Sequence, residues 1–492
     1  MFMKLFKPGI FTLLSVFVLL TGCGVNGNDN KQAATVEGEY EVVMAYPVFG
    51  DVSDVSSVET AMSELARQKI GATVKLIPIT GSNYSNQMNL MLAGSEKLDL
   101  VYTSVWMGFE TQASRGQLIP MDELLSTHGA KILNEVPSYG LEAGQIQGET
   151  YGIPSLKGWA LTPSFVIATE IIKELNINSS GIRTWTDLTS VLQKLKEVKP
   201  EMIPMASYNT SEAPGTAMMY FDPLGLTAGV LPFEGEGYQL LQAEETELYN
   251  ETVNLMRSWY QQGYFSKDIA TTQETAATLV KNGKAASYIR NINDCYSESV
   301  PAGTELTCIP MEEPYMTRNS ISSNMISISR NSEQPEKAMQ FMELLYTDSE
   351  MMNLFVNGIE GVHYVKQGDQ IALPEGKDST GYASNPSLIG NNFLTYVWSG
   401  NDPDMWTAVQ KTNGAAVKSR AMGFSFDISG VKNEITAVSN VDNQYSTGFM
   451  TGISDPALIP EYVSKLKAAG IERIIQEKQK QMDEWLLTNK KD

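Results

Sequence analysis

A chain of 492 residues is too long for a single hydrophobic core, so at least two lobes are expected. Its net charge of −21 and isoelectric point of about 4.6 exclude nucleic acid as a partner, which needs basic stripes, and exclude electrostatic docking on anionic lipid. A hydrophobic content of 42%, with 39 Gly and 21 Pro scattered rather than clustered, is that of a folded protein.

At the N-terminus, Lys4 and Lys7 precede an apolar run from Ile10 to Leu20, too short to span a bilayer as a helix. The run ends in Leu20-Thr21-Gly22-Cys23, which is similar to a bacterial lipobox. Residues 1–22 then read as a signal peptide, and Cys23 as a lipidated new N-terminus; an ordinary signal peptide containing a Cys is the alternative. Cleavage there would leave the chain two charges more acidic. Residues 23–37 read as a tether, and its polar part, Gly24 to Thr35, reaches about 40 Å when extended.

Tyr40 to Tyr46 is apolar on both sides, as a central parallel strand should be. Val58, Ala61, Met62, Leu65 and Ala66 then recur at helical spacing up to Gly71, and Thr73 to Ile79 reads as a second strand. A second helix is expected to carry Met88, Leu90, Met91 and Ala93 on its apolar face and to end at Gly94 in a left-handed conformation. Leu98 to Tyr102 is the third strand. This β-α-β-α-β order implies right-handed crossovers and a doubly wound sheet, whose strand exits at Pro47–Asp51, Thr80–Tyr84 and Thr103–Trp106 line one edge, where a ligand belongs.

Further on, Glu149 to Pro154 reads as a strand near a lobe crossing, and Thr184 with Asp187 as a helix start. Glu244 to Gln262 is an amphipathic helix, Lys284 to Asn291 a strand with a polar exit, and Ser320 to Ser329 a return strand by its period of two. Ser332 and Pro335 open a helix carrying Ala338, Phe341, Met342 and Leu345. Two helices, Pro460 to Ala469 and Ile471 to Leu487, are separated by Gly470. Cys295 and Cys308 are either a disulfide or two buried thiols, and they lack a metal spacing.

Ala93-Gly94-Ser95 leading to Asp99-Leu100-Val101, then Thr103, Ser104 and Trp106, resembles the first lobe of extracellular solute-binding proteins that serve ABC importers. Pro335 to Met339, Tyr346-Thr347-Asp348 and Asn357 to Tyr364 resemble the middle of a lipoprotein branch of that family. Ile389 to Phe393 and Ala468 to Ile471, with Gln479, Gln481 and Trp485, resemble its C-terminal region of unassigned function. The resemblance implies an α/β, bilobal type II periplasmic-binding-protein fold, with two doubly wound sheets and a ligand cleft between lobes. Lobe 1 is expected over 38–157 and 312–345. Lobe 2 is expected over 158–311 and 346–492, including the C-terminal extension. It further implies a monomer tethered to the outer face of the cell membrane, which captures a carbohydrate, an oligosaccharide by preference, and delivers it to ABC permease subunits. No cofactor or metal is expected.

A sugar site needs aromatic platforms and a few oriented polar groups. Trp106 at a strand exit, Trp159 beside Lys157 near the crossing, and Trp398 in a polar stretch are the platforms. Asp51, Asn83 and Ser104 on the strand exits, with Tyr288 and Arg290 on the strand of the other lobe, are the polar candidates. Trp259 and Trp485 sit in helical register with apolar neighbours and Trp185 just inside a helix start, and all three read as core; Glu360, His363 and Tyr364 either reach the cleft or, the favoured reading, fix a loop. A lipid-anchored glycosidase is the remote alternative, but no nucleophile elbow, zinc motif or phosphate loop is present, and no catalytic residue is named. A peptide or other solute is the nearer alternative.

Overall fold

The computed structural model describes residues 39–488 apart from 210, 211, 226, 378, 383 and 386; Cys23, the leader and the tether lie outside the described residues. The strands that carry the architecture are β1 (Tyr40–Val48), β2 (Ala72–Thr80), β3 (Leu100–Thr103), β4 (Ile153–Pro154), β5 (Thr162–Ala168), β6 (Ile203–Ala206), β7 (Ala285–Ile292), β8 (Leu306–Pro310) and β9 (Met325–Ile328). They form two sheets and the bilobal α/β fold of type II periplasmic-binding proteins. The first sheet has the order β2-β1-β3-β9-β4, with β1 parallel to β2 and β3, and β9 antiparallel to β3. The second has the order β8-β5-β7-β6.

In the first lobe, helix Val55–Ile70 buries Val58, Met62, Leu65 and Ala66 and ends at Gly71, whose φ of 62° only glycine adopts cheaply. Helix Gly81–Ala93 turns a different face inward than its spacing suggested. Tyr84, Met88 and Leu92 are buried at four-residue intervals, and Leu90 is exposed. The helix ends at Gly94 without a left-handed turn: φ is −76°, and the Gly94 N–H closes the last turn by donating to Leu90 O and Met91 O. Asp99, at the foot of β3, is fully buried. Its carboxylate accepts from Val43 N–H at 2.8 Å and from the Tyr40 and Ser332 hydroxyls at 2.5 Å each, which anchors β1 and the β9 return to one point.

The stretch Ser320 to Ser329 is not one strand. Thr317 Oγ1 accepts from Ser320 N–H and Ser320 Oγ accepts from Thr317 N–H, a reciprocal cap that starts a helical turn at Arg318–Ile321. Only Met325–Ile328 pairs in the sheet.

The lobe division after residue 345 also differs from expectation. Helix Ser349–Asn357 buries Met351, Met352 and Phe355 in the first lobe's core, together with Tyr346, Tyr382 and Ile389. The chain therefore stays with the first lobe until about Met422. From Phe424 on it packs against the second lobe, through Leu224, Leu231 and Leu240 and through Tyr249 and Val253 of helix Glu247–Gln261. The physical reason is the helix's apolar face, whose Met351, Met352 and Phe355 are buried in the first lobe's core.

The segments joining the lobes lie side by side. Leu161 and Tyr315 exchange backbone hydrogen bonds of 2.8 and 2.9 Å, and Tyr315–Met316 pairs with Val417–Lys418. In the second lobe a disulfide joins Cys295 to Cys308, linking the helix after β7 to β8.

Candidate functional site

Two asparagines hold the first crossing segment. Asn413, on helix Met405–Ala415, accepts from the N–H groups of Trp159 (2.9 Å) and Ala160 (3.0 Å) and donates to Lys157 O (2.7 Å). Asn293, just past β7, donates to Gly158 O (3.0 Å) and Ala160 O (2.8 Å). A crossing segment lacks sheet partners on both sides, and these side chains supply the missing ones. Asn413→Ala leaves two buried N–H groups without acceptors. The expected result is a loss of about 2 kcal/mol of stability, with faster amide exchange at Trp159 and Ala160 measured by NMR.

Beside this segment opens a cavity of about 590 Å³, within the usual range of small-molecule sites, roughly 300–1,000 Å³. Lys157 and Asn293 line it at the crossing, together with Asn357, Tyr382, Trp398 and Trp406. The indoles are oriented from behind: Trp398 Nε1 donates to Asn357 Oδ1 (3.1 Å), Trp406 Nε1 donates to Thr395 O (3.1 Å), and Trp406 meets Phe393 edge to face at 5.9 Å. Asn357 is itself held by Asn353 at 2.8 Å. Desolvation among these walls lowers the Lys157 ammonium to about 8. The loop on the far wall is tied to the first lobe's strand exits, because Gly381 O accepts from Asp54 N–H at 3.2 Å. His363 Nε2 lies 3.0 Å from the Asp54 carboxylate, and its Nδ1 accepts from Ile359 N–H, so this histidine fixes a loop.

Of the nine ligand candidates, the cavity brings together Lys157 and Trp398. Asp51, Asn83 and Trp106 lie on the strand-exit edge. Asp51 caps Ser53 N–H, Asn83 donates to Thr80 Oγ1, and Trp106 is 61% exposed. Ser104 sits on the same edge but is buried, and its hydroxyl accepts from Trp106 N–H to start a short turn.

Three candidates are corrected. Trp159 is 2% exposed, its indole donates to Ser155 O, and its ring packs against Tyr139 in the first core. Tyr288 is wholly buried and donates to Glu298, with burial and that carboxylate pushing its phenol up. Arg290 is committed within its own lobe, with Nη1 2.6 Å from Glu298, Nε 3.1 Å from Glu212 and its plane over the Tyr208 ring at 3.7 Å. Tyr288 and Arg290 lie on a strand largely buried on both faces, which periodicity alone does not reveal.

The sequence reading missed Trp406, whose signal was its place eight residues after Trp398 in the same polar stretch. It also missed Asn293, Asn357 and Phe49. Phe49 stands at the exit of β1, 67% exposed, with its ring so close over Gly81 that a Cβ there would come within 2.2 Å. Phe49 and Trp106 are thus two exposed aromatics on neighbouring strand exits.

Residues 54–352 match the family described as bacterial extracellular solute-binding protein. The chain belongs to that family. Residues 420–487 of this solute-binding protein match a domain of unknown function, DUF3502. A carbohydrate ABC transporter substrate-binding protein of Streptococcus pneumoniae serotype 4 is 26% identical over 99% of this chain and all of its own length. Among solved structures, the N-glycan transport solute-binding protein NgtS of Streptococcus pneumoniae superposes with a TM-score of 0.84 at 23% identity, covering 92% of this chain and 100% of its own. An HMO-binding, ABC-transporter-associated solute-binding protein of Bifidobacterium longum infantis reaches 0.64 at 14% identity, covering 91% and 99%. This solute-binding protein shares its overall fold with both solved structures.

Proposed function

We infer that this protein captures an oligosaccharide between its lobes and passes it to the membrane subunits of an ABC importer, acting as a binding protein and not as an enzyme. The observation that carries this reading is the cavity at the crossing, with two oriented indoles and a wall of amides and hydroxyls. Pyranose rings present C–H faces to indoles and hydroxyls to amides. The full-length carbohydrate-binding relative supports the same reading. The mechanism is a population shift. Solute touching both lobes favours the closed arrangement by the difference in contacts it makes there, and the hinge is the segment that Asn413 and Asn293 hold.

The protein acts as a monomer on the outer face of the membrane, held by a lipid on Cys23. The apolar run before Leu20-Thr21-Gly22-Cys23 supports this anchor. Cys23→Ser is expected to release the protein into the medium or stall its processing, as followed by membrane fractionation; a variant that still fractionates with membranes removes the anchor.

A thermal-shift screen against oligosaccharides and peptides tests the function. A saccharide at 100 times its Kd adds about 2.7 kcal/mol of stability, a readable rise in Tm. A response to peptides with none to any saccharide would overturn the carbohydrate reading.

A further inference from the structure

Lys157 is the one cation among the residues that line the cavity, and it is half-buried there. It forms no ion pair among the described residues, although charges taken out of water are ordinarily paired. Its backbone is fixed on both sides, because Lys157 O accepts from Asn413 and Leu156 N–H donates to Gly390 O at 2.9 Å. The side chain therefore starts from a rigid position at the crossing. The other charged residue lining the cavity is Asp294, just before helix Cys295–Ala302; it has interactions of its own and lies beyond salt-bridge distance of Lys157. The remaining polar lining is neutral amide and hydroxyl, suited to sugar hydroxyls but unable to neutralise an ammonium.

We propose that the saccharide taken by this cavity carries a carboxylate, and that Lys157 is the specificity-determining residue that meets it. The proposal rests on the carbohydrate reading above. Burying an ammonium against a neutral ligand leaves it desolvated and unpaired, whereas a carboxylate supplies the missing charge and a charge-assisted hydrogen bond. The chain's net charge of −21 opposes the approach of a polyanion, so the fitting ligand is an oligosaccharide with a single uronic or sialic acid residue. Its uncharged rings lie against Trp398 and Trp406 and its acid group at the crossing.

The test is calorimetric titration of the full chain in detergent micelles with matched pairs. The first pair is lactose and 3′-sialyllactose; the second is xylotriose and the same backbone bearing one glucuronic acid. At least one acidic member is expected to bind about tenfold or more tighter than its neutral partner. In Lys157→Met that ratio should collapse to within about twofold, while Lys157→Arg keeps most of it, each variant being checked by its unliganded Tm. Lys157→Gln serves where the methionine variant does not fold. Equal affinity for neutral and acidic members in the unmodified protein, or a preference that survives Lys157→Met, overturns this proposal and leaves the carbohydrate function standing. Binding of no saccharide, with a response to another solute class, overturns the carbohydrate function and this proposal with it.

Discussion

Lys478→Ala is expected to cost about 3 kcal/mol and to loosen the last helix selectively. Lys478 lies on helix Ile471–Thr488, yet it is fully buried. Its ammonium donates to Gly229 O (3.1 Å), Thr227 O (3.2 Å) and Pro223 O (3.4 Å), with the Phe426 ring at 5.3 Å. The buried Asp222 carboxylate supplies the nearby negative charge, and one of its oxygens has no hydrogen-bond partner among the described residues. The alanine variant removes the donor to all three carbonyls, opens a cavity and takes away one of the two cations near Asp222, Arg318 being the other. Hydrogen exchange across Ile471–Thr488 should quicken far more than exchange in β1. Unchanged protection there would show that the cage does not hold the helix.

The same residue imposes a pH dependence. Burial lowers Lys478 to about 7 in the folded state, against 10.5 when exposed, with Asp222 opposing the shift. Between those values the unfolded chain binds a proton that the folded protein has released. The Lys478 contribution to stability therefore rises as pH rises from about 7, Lys157, lowered to about 8, adds to the upper part of this window, and the buried tyrosines, raised above their ordinary value, oppose it as pH nears 10. Lys478→Met should flatten most of that slope in urea denaturation series.

Trp398→Ala is expected to weaken saccharide binding by about thirtyfold or more, the loss of a central aromatic anchor. The indole lines the cavity and is held from behind by a row of amides, Asn357 to Asn353 to Leu394 O, so its orientation exists before ligand arrives. Pre-oriented groups lose little freedom on binding, which is why the effect is large. Trp106→Ala removes an exposed ring on the strand-exit edge and should cost less, about tenfold or under, with an unchanged unliganded Tm. Calorimetry with one bound saccharide reads both. Full affinity in Trp398→Ala would move the site out of the cavity and towards Phe49 and Trp106.

Local pattern in the sequence determined the first lobe closely. The alternation of β1, α and β2, the close of the first helix at Gly71 and the line of strand exits are all short-range properties, decided within one or two turns or strands. The acidic charge balance and the apolar N-terminal run are properties of composition and needed no fold. What the tertiary structure alone decided is which side of each element faces inward and which distant segments meet. Leu90 and Leu92 are two residues apart, and only packing against the sheet chose Leu92 for the core. Trp159 read as a ligand residue from its place near the crossing and Tyr288 from its strand's polar exit, yet both are buried in cores built from other segments. The cavity joins Lys157 to Asn293, Asn357, Trp398 and Trp406, and its supporting contact from Asn413 to Lys157 spans 256 residues. Such a site forms when the chain passes between the lobes and its crossing segments come to lie side by side. No periodicity in a single sequence encodes that meeting, because it depends on the summed packing of both lobes.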